Sequence, residues 1–173
     1  MTFTIDAYTP TALLRGTVAR SEPLREVLEA GGEVLVERCR VIDVSGRESS
    51  PGPVRVAVDD LVLVLDVESS FPIHANWHAL RLGVGPYLVE GELPTLPGFD
   101  PGRALTRPTG EFVLLRDATV RLRDDPEAGA AHHDRLLVNR YAVEIVEADL
   151  QLGFFFPGAS VVPQRRGAGV AGD

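Results

Sequence analysis

Lysine is absent from this sequence, and all 17 basic residues are arginine. That excludes Schiff-base chemistry and a phosphate-binding loop built on lysine, because both need a side-chain amine. The single cysteine, Cys39, can neither close an intramolecular disulfide nor supply a multi-cysteine zinc site. No apolar run approaches the roughly 20 residues a membrane-spanning helix needs. Met1 to Tyr8 lacks the positive start and apolar stretch of a secretion signal, so a cytoplasmic protein without membrane contact is expected. Positive charge is also in deficit. The net charge of −8 opposes nonspecific attraction to nucleic acid, which is not the expected partner.

What is present is apolar and strand-like. Hydrophobic residues make up 45% of 173, enough to bury one ordinary core or two small ones packed together. Residues 1 to 10 read as a lead-in. Ala12 to Ala19 reads as a strand carrying Gly16, and Ser21-Glu22-Pro23 opens a short helix with Leu24, Val27 and Leu28 on one face. Gly31-Gly32 ends it, and Glu33 to Val44 is a long strand. A loop is expected over 45 to 53, then two strands hinged on Asp59-Asp60 within Val56 to Asp66.

The same order of signals returns later. Tyr87 to Leu93 is a strand carrying Gly91, Asp100-Pro101 opens a helix, and Glu111 to Arg123 is a long strand. A polar loop follows over Asp124 to Asp134, and then Leu136 to Val146, two strands hinged on Asn139-Arg140. Leu13–Val18 lies over Leu88–Leu93, Arg25 over Arg103, Arg38 over Arg116, and Val56–Asp66 over Leu136–Val146. The expected fold is therefore mainly β: two tandem, similar small-barrel or sandwich halves, mostly antiparallel, with one or two short helices. The halves are residues 1–70 and 71–159, followed by a flexible tail at 160–173.

A strand with a glycine, a strand ending near an acidic residue, and an apolar strand turning over two polar residues into a last strand resembles the Sm-like small-barrel pattern. Val138-Asn139-Arg140-Tyr141-Ala142-Val143 is similar to the second signature of that family. The Asp and Asn of the first signature do not follow Gly16 or Gly91, and the helix sits inside the repeat instead of before it. The chain also resembles actinobacterial-type proteins with Gly-Pro-Tyr, Pro-Gly-Phe-Asp-Pro and Val-Asn-Arg blocks, which implies no function. The Sm-like resemblance implies an RNA-binding surface as an alternative role, with Arg38, Arg116 and Arg140 as candidate contacts.

The remaining chemistry is sparse. His74 and His78 on a strand share a face but lie about 13 Å apart, too far for one zinc ion. His132-His133 in an acidic loop is suited to adventitious metal, not catalysis. Cys39 within a strand reads as a small core residue. Gly83-Val84-Gly85-Pro86 is a turn, because proline removes an N–H that a phosphate loop needs. Asp59-Asp60 is itself a turn, and Glu90 and Glu92 share a solvent-facing side. No catalytic site, cofactor or metal is expected.

Interaction surfaces are the better candidates. Phe154-Phe155-Phe156 read as a strand must turn at least one ring away from the others, leaving it for a protein partner unless the segment is sandwiched. Trp77, Tyr87 and Phe71 near the junction read as packing between the halves. With His74 and His78, Trp77 and Tyr87 form an alternative small-ligand pocket. The leading expectation is a protein-interaction or scaffold module that self-associates through strand edges.

Overall fold

The computed structural model describes residues 1–98, 110–148 and 150–164. Its strands are β1 (Thr2–Tyr8), β2 (Ala12–Ala19), β3 (Glu33–Asp43), β4 (Glu48–Ala57), β5 (Leu63–Leu65) and β6 (Asn76–Val84). They continue with β7 (Tyr87–Thr95), β8 (Phe112–Leu122), β9 (Ala130–Asn139), β10 (Val143–Ala148) and β11 (Ser160–Pro163). One α-helix, α1 (Leu24–Glu29), lies between β2 and β3. Pro23 precedes it, Leu24 and Leu28 are buried, and Gly31 and Gly32 end it with left-handed φ of 71° and 83°. The second expected helix start, Asp100-Pro101, lies outside the described residues. Among the described residues no helix is long and apolar enough to cross a membrane.

All eleven strands form one sheet in the order β11-β10-β6-β7-β8-β9-β5-β1-β2-β3-β4. Every ladder is antiparallel except β10 with β11. The mainly-β expectation holds, but separate closed barrels do not appear. The sheet runs unbroken across residue 70, because Leu63, Val64 and Leu65 of β5 pair with Val138, Leu137 and Leu136 of β9.

Those central strands explain their own composition. A strand buried on both faces loses the apolar–polar alternation and becomes continuously hydrophobic. Leu61, Leu63, Val64, Leu136, Leu137 and Val138 are each 0% exposed. Leu63, Leu136 and Val138 join one hydrophobic cluster, built mainly by β6 to β10. Val64 and Leu137 join another, built mainly by β1 to β4 and α1. The β5–β9 ladder is thus one wall of both cores.

The order can be read as two runs laid end to end, β5-β1-β2-β3-β4 and β10-β6-β7-β8-β9. The same irregularity recurs in both. The ladder of β2 with β3 shifts register between Arg15 and Thr17, around Gly16, and that of β7 with β8 between Glu90 and Glu92, around Gly91. Opposite these glycines lie, among the described residues, the two non-glycine residues with left-handed φ, Arg38 (50°) and Asp117 (48°). Arg38 therefore matches Asp117, one residue on from the expected Arg116. A 3-10 turn joins β4 to β5 at Val58–Asp60, and another joins β9 to β10 at Arg140–Ala142. These turns match Val56 with Val138, a slip of two residues from the sequence overlay.

Other expectations change. Within residues 1 to 10, expected as a lead-in, Thr2–Tyr8 is a strand that pairs with β2 and β5. β4 begins inside the expected loop, and β9 takes His132 and His133 out of theirs. Ser160 to Pro163, expected as flexible tail, pairs along β10. Residues 165–173 lie outside the described residues.

Candidate functional site

β4 ends the sheet, and among the described residues no strand pairs with its outer side. Its backbone direction follows from local bonds. Val58 N–H donates to Gly32 O at 2.9 Å, toward β3. Alternation then turns the N–H groups of Ala57 and Arg55 outward and places Pro53, which has none, on the outward side. Pro51 and Pro53 cannot donate to an incoming strand, so pairing is confined to Val54–Ala57. Val56 is buried beneath this stretch, while Arg55 is exposed and reaches Glu33 at 3.9 Å. The sequence reading missed this edge. Prolines at alternating positions of an apolar run were the available signal, since they demote a run to an edge strand.

The opposite end of the sheet is β11, which lies along the edge of β10. Ile145, Val146 and Glu147 of β10 pair with Ser160, Val161 and Val162 of β11. Leading into β11, Leu150–Phe155 is a 3-10 helix instead of the expected strand, and it separates the three rings. Phe156 is 1% exposed, Phe155 is half-buried, and Phe154 is 71% exposed. One ring does face solvent, and it is Phe154.

Arg140 is 3% exposed. Its Nε donates to Phe155 O at 2.7 Å and its Nη1 to Gly110 O at 2.8 Å, while its backbone N–H donates to Glu111 O at 2.8 Å. These bonds tie the Arg140 corner to two other chain segments, one at Gly110-Glu111 and one at Phe155. Asn139 holds the same corner: Oδ1 accepts from Tyr141 N–H at 3.0 Å, and Nδ2 donates to Leu61 O at 3.3 Å. Arg116 lies 3.4 Å from the centroid of Trp77 and donates through Nε to Glu92 at 2.6 Å. Arg38 is exposed on β3, five strand spacings from β8, on the order of 24 Å along the ladder. The structure does not bring Arg38, Arg116 and Arg140 together.

Nor does it gather the expected pocket residues. Trp77 pairs with Pro94 and Tyr87 with Val84, at opposite ends of one hairpin, about 23 Å apart at strand rise. Trp77 packs edge-on against Phe71 at 5.2 Å, and His78 Nε2 meets Thr95 Oγ1 at 2.8 Å. His74 is exposed. Tyr87 instead stacks edge-on with Tyr8 at 5.2 Å and donates its hydroxyl to Thr9 O at 2.7 Å. Tyr8 and Tyr87 floor a cavity of about 460 Å³ between the β3–β4 and β8–β9 turns, with Asp43, Ser45 and Arg121 among its polar lining.

Burial sets the protonation of this cluster. It pushes Tyr8 up to about 12, with Asp6 adding to the rise, and pushes Tyr87 up as well. Burial also lowers His133, whose Nε2 lies 3.0 Å from the Tyr8 hydroxyl. A neutral imidazole with Nε2 unprotonated accepts that hydroxyl's hydrogen. Cys39 is buried, and burial raises its thiol, which suits a core residue.

Asp117, His132 and Asp134 bring one ligand atom each within 4.8 Å of one another, all exposed, across the β8–β9 ladder. Arg116 lies 3.8 Å from Asp117 and adds opposing charge. Glu90 and Glu92 do share a face, where Arg81, Arg121 and Arg116 pair with them across the strands. Compared with known protein families, curated proteins and solved structures, the chain gives no significant match in any of the three.

Proposed function

We propose that this chain is a non-catalytic protein-interaction module, made of two similar strand runs, that binds an extended segment of a partner at the outer edge of β4. The observation carrying this reading is the short free stretch Val54–Ala57, with its outward N–H groups at Arg55 and Ala57, on the longer of the sheet's two end strands. Strand addition obtains affinity from such main-chain groups and specificity from alternate side chains. The flanking prolines and Arg55 limit indiscriminate edge pairing, the usual hazard of an open strand. The recurring bulge and 3-10 turn support the two-run reading.

The test is selection of displayed peptides on the purified chain, counter-screened with Arg55→Pro. That substitution removes an outward donor without touching the β3 ladder. Peptides that bind the native chain and lose at least tenfold in affinity on the variant are the expected result. Enrichment indifferent to Arg55→Pro, or none, overturns the reading.

A further inference from the structure

The two ends of the sheet are complementary, and the ladder at its centre shows how they would join. Aligned on the two 3-10 turns, β4 residues Val54–Val56 correspond to Leu136–Val138 of β9. By the same alignment, β5 residues Leu63–Leu65 correspond to Ile145–Glu147 of β10. Leu136–Val138 and Leu63–Leu65 are the two segments that pair at the centre. Their counterparts are the free stretch of β4 and the stretch of β10 that β11 covers.

The bonding directions agree as well. Arg140 N–H donates to Glu111 O, as Val58 N–H does to Gly32 O. Asn139 N–H, one residue earlier, crosses to Val62 O on the β5 side at 3.0 Å. Its counterpart Ala57 points its N–H outward from β4.

We propose that the face of β10 now occupied by β11 is the docking site for the β4 edge of a second copy, and that β11 holds it closed. This rests on the strand-addition reading of β4 and names its partner. The incoming ladder would set Val56, Arg55 and Val54 against Ile145, Val146 and Glu147. One side-chain difference tunes it: Arg55 stands where the internal ladder has Leu137, which pairs with Val64. A charged side chain there weakens the join, and the parallel four-residue β11 competes for the seat.

The experiment is light scattering after size exclusion, over a concentration series, on full-length variants. Val162→Pro/Gln164→Pro removes two β11 donors, because Gln164 N–H reaches Ala148 O at 3.3 Å and alternation turns the Val162 N–H the same way. The expected result is a shift from monomer to concentration-dependent multiples, reversed by adding Arg55→Pro. Arg55→Leu alone, on an exposed position that does not threaten folding, is expected to tighten self-association at least tenfold. If both variants stay monomeric while β4-dependent peptides still bind, the second copy is wrong and strand addition stands. If the peptides fail too, both readings fall.

Discussion

The run β5-β1-β2-β3-β4 and the run β10-β6-β7-β8-β9 share ladder order, bulge and turn, yet hold themselves differently. In the first, the 3-10 corner is Val58-Asp59-Asp60, with a buried valine and two exposed acids. In the second, buried Arg140 occupies that corner and ties it to Gly110 and Phe155. The bulges differ as well. A Cβ on Gly16 would lie 2.5 Å from Val36 Cγ1 and 2.6 Å from Glu37 O, whereas on Gly91 it would approach Arg116 O only to 3.3 Å. The strand plan tolerates either device, provided the backbone groups at corner and bulge are satisfied.

Breaking the second corner is expected to have the largest effect. Arg140→Ala strands two carbonyls and opens a cavity, and should cost about 3–5 kcal/mol in denaturant unfolding. Removing the counterpart, Val58→Ala, should cost about 1–3 kcal/mol. A smaller cost than Val58→Ala for Arg140→Ala would overturn the contrast between the corners.

The bulges sharpen the comparison next. Gly16→Ala should cost about 2–3 kcal/mol, because backbone must move, and Gly91→Ala about 1 kcal/mol or less. Equal losses would show that the two bulges are equally crowded.

His133 provides a pH test. Its folded pKa lies below the ordinary 6.5, so the unfolded chain binds more protons in that window. Stability attributable to it is present above 6.5 and is lost as pH falls through 6.5 toward the folded pKa. Protonation also removes the acceptor for the Tyr8 hydroxyl. His133→Gln should flatten that part of the pH profile of chemical denaturation; an unchanged slope would assign it elsewhere. The smallest effect belongs to Phe154→Asp, within about 0.5 kcal/mol, because its ring is exposed.

The sequence foretold long strands where β3 and β8 stand, because each carries β-branched and other apolar residues on both sides of a short polar interruption, Glu37-Arg38 and Arg116-Asp117. Gly16 and Gly91 marked the bulges, since a glycine inside a strand signals close backbone approach, tight at Gly16 and looser at Gly91. The single sheet was not legible. Leu63–Leu65 and Leu136–Val138 announce burial on both faces, but pairing across more than 70 residues leaves no local trace. β11 was hidden for a related reason: a short strand after Pro157 and Gly158 has the composition of a tail. The candidate edge was half visible, in Pro51 and Pro53. The three arginines failed to converge because type and spacing do not reveal which guanidinium is buried.

The β5–β9 ladder also has a consequence in time. During synthesis Leu65 emerges about 70 residues before Leu136, roughly 4 to 14 seconds at 5–20 residues per second. For that interval the leucine- and valine-rich β5 has no β9 to pair with. A nascent chain stalled before Leu136 therefore displays an unsheltered apolar strand that the finished chain never shows.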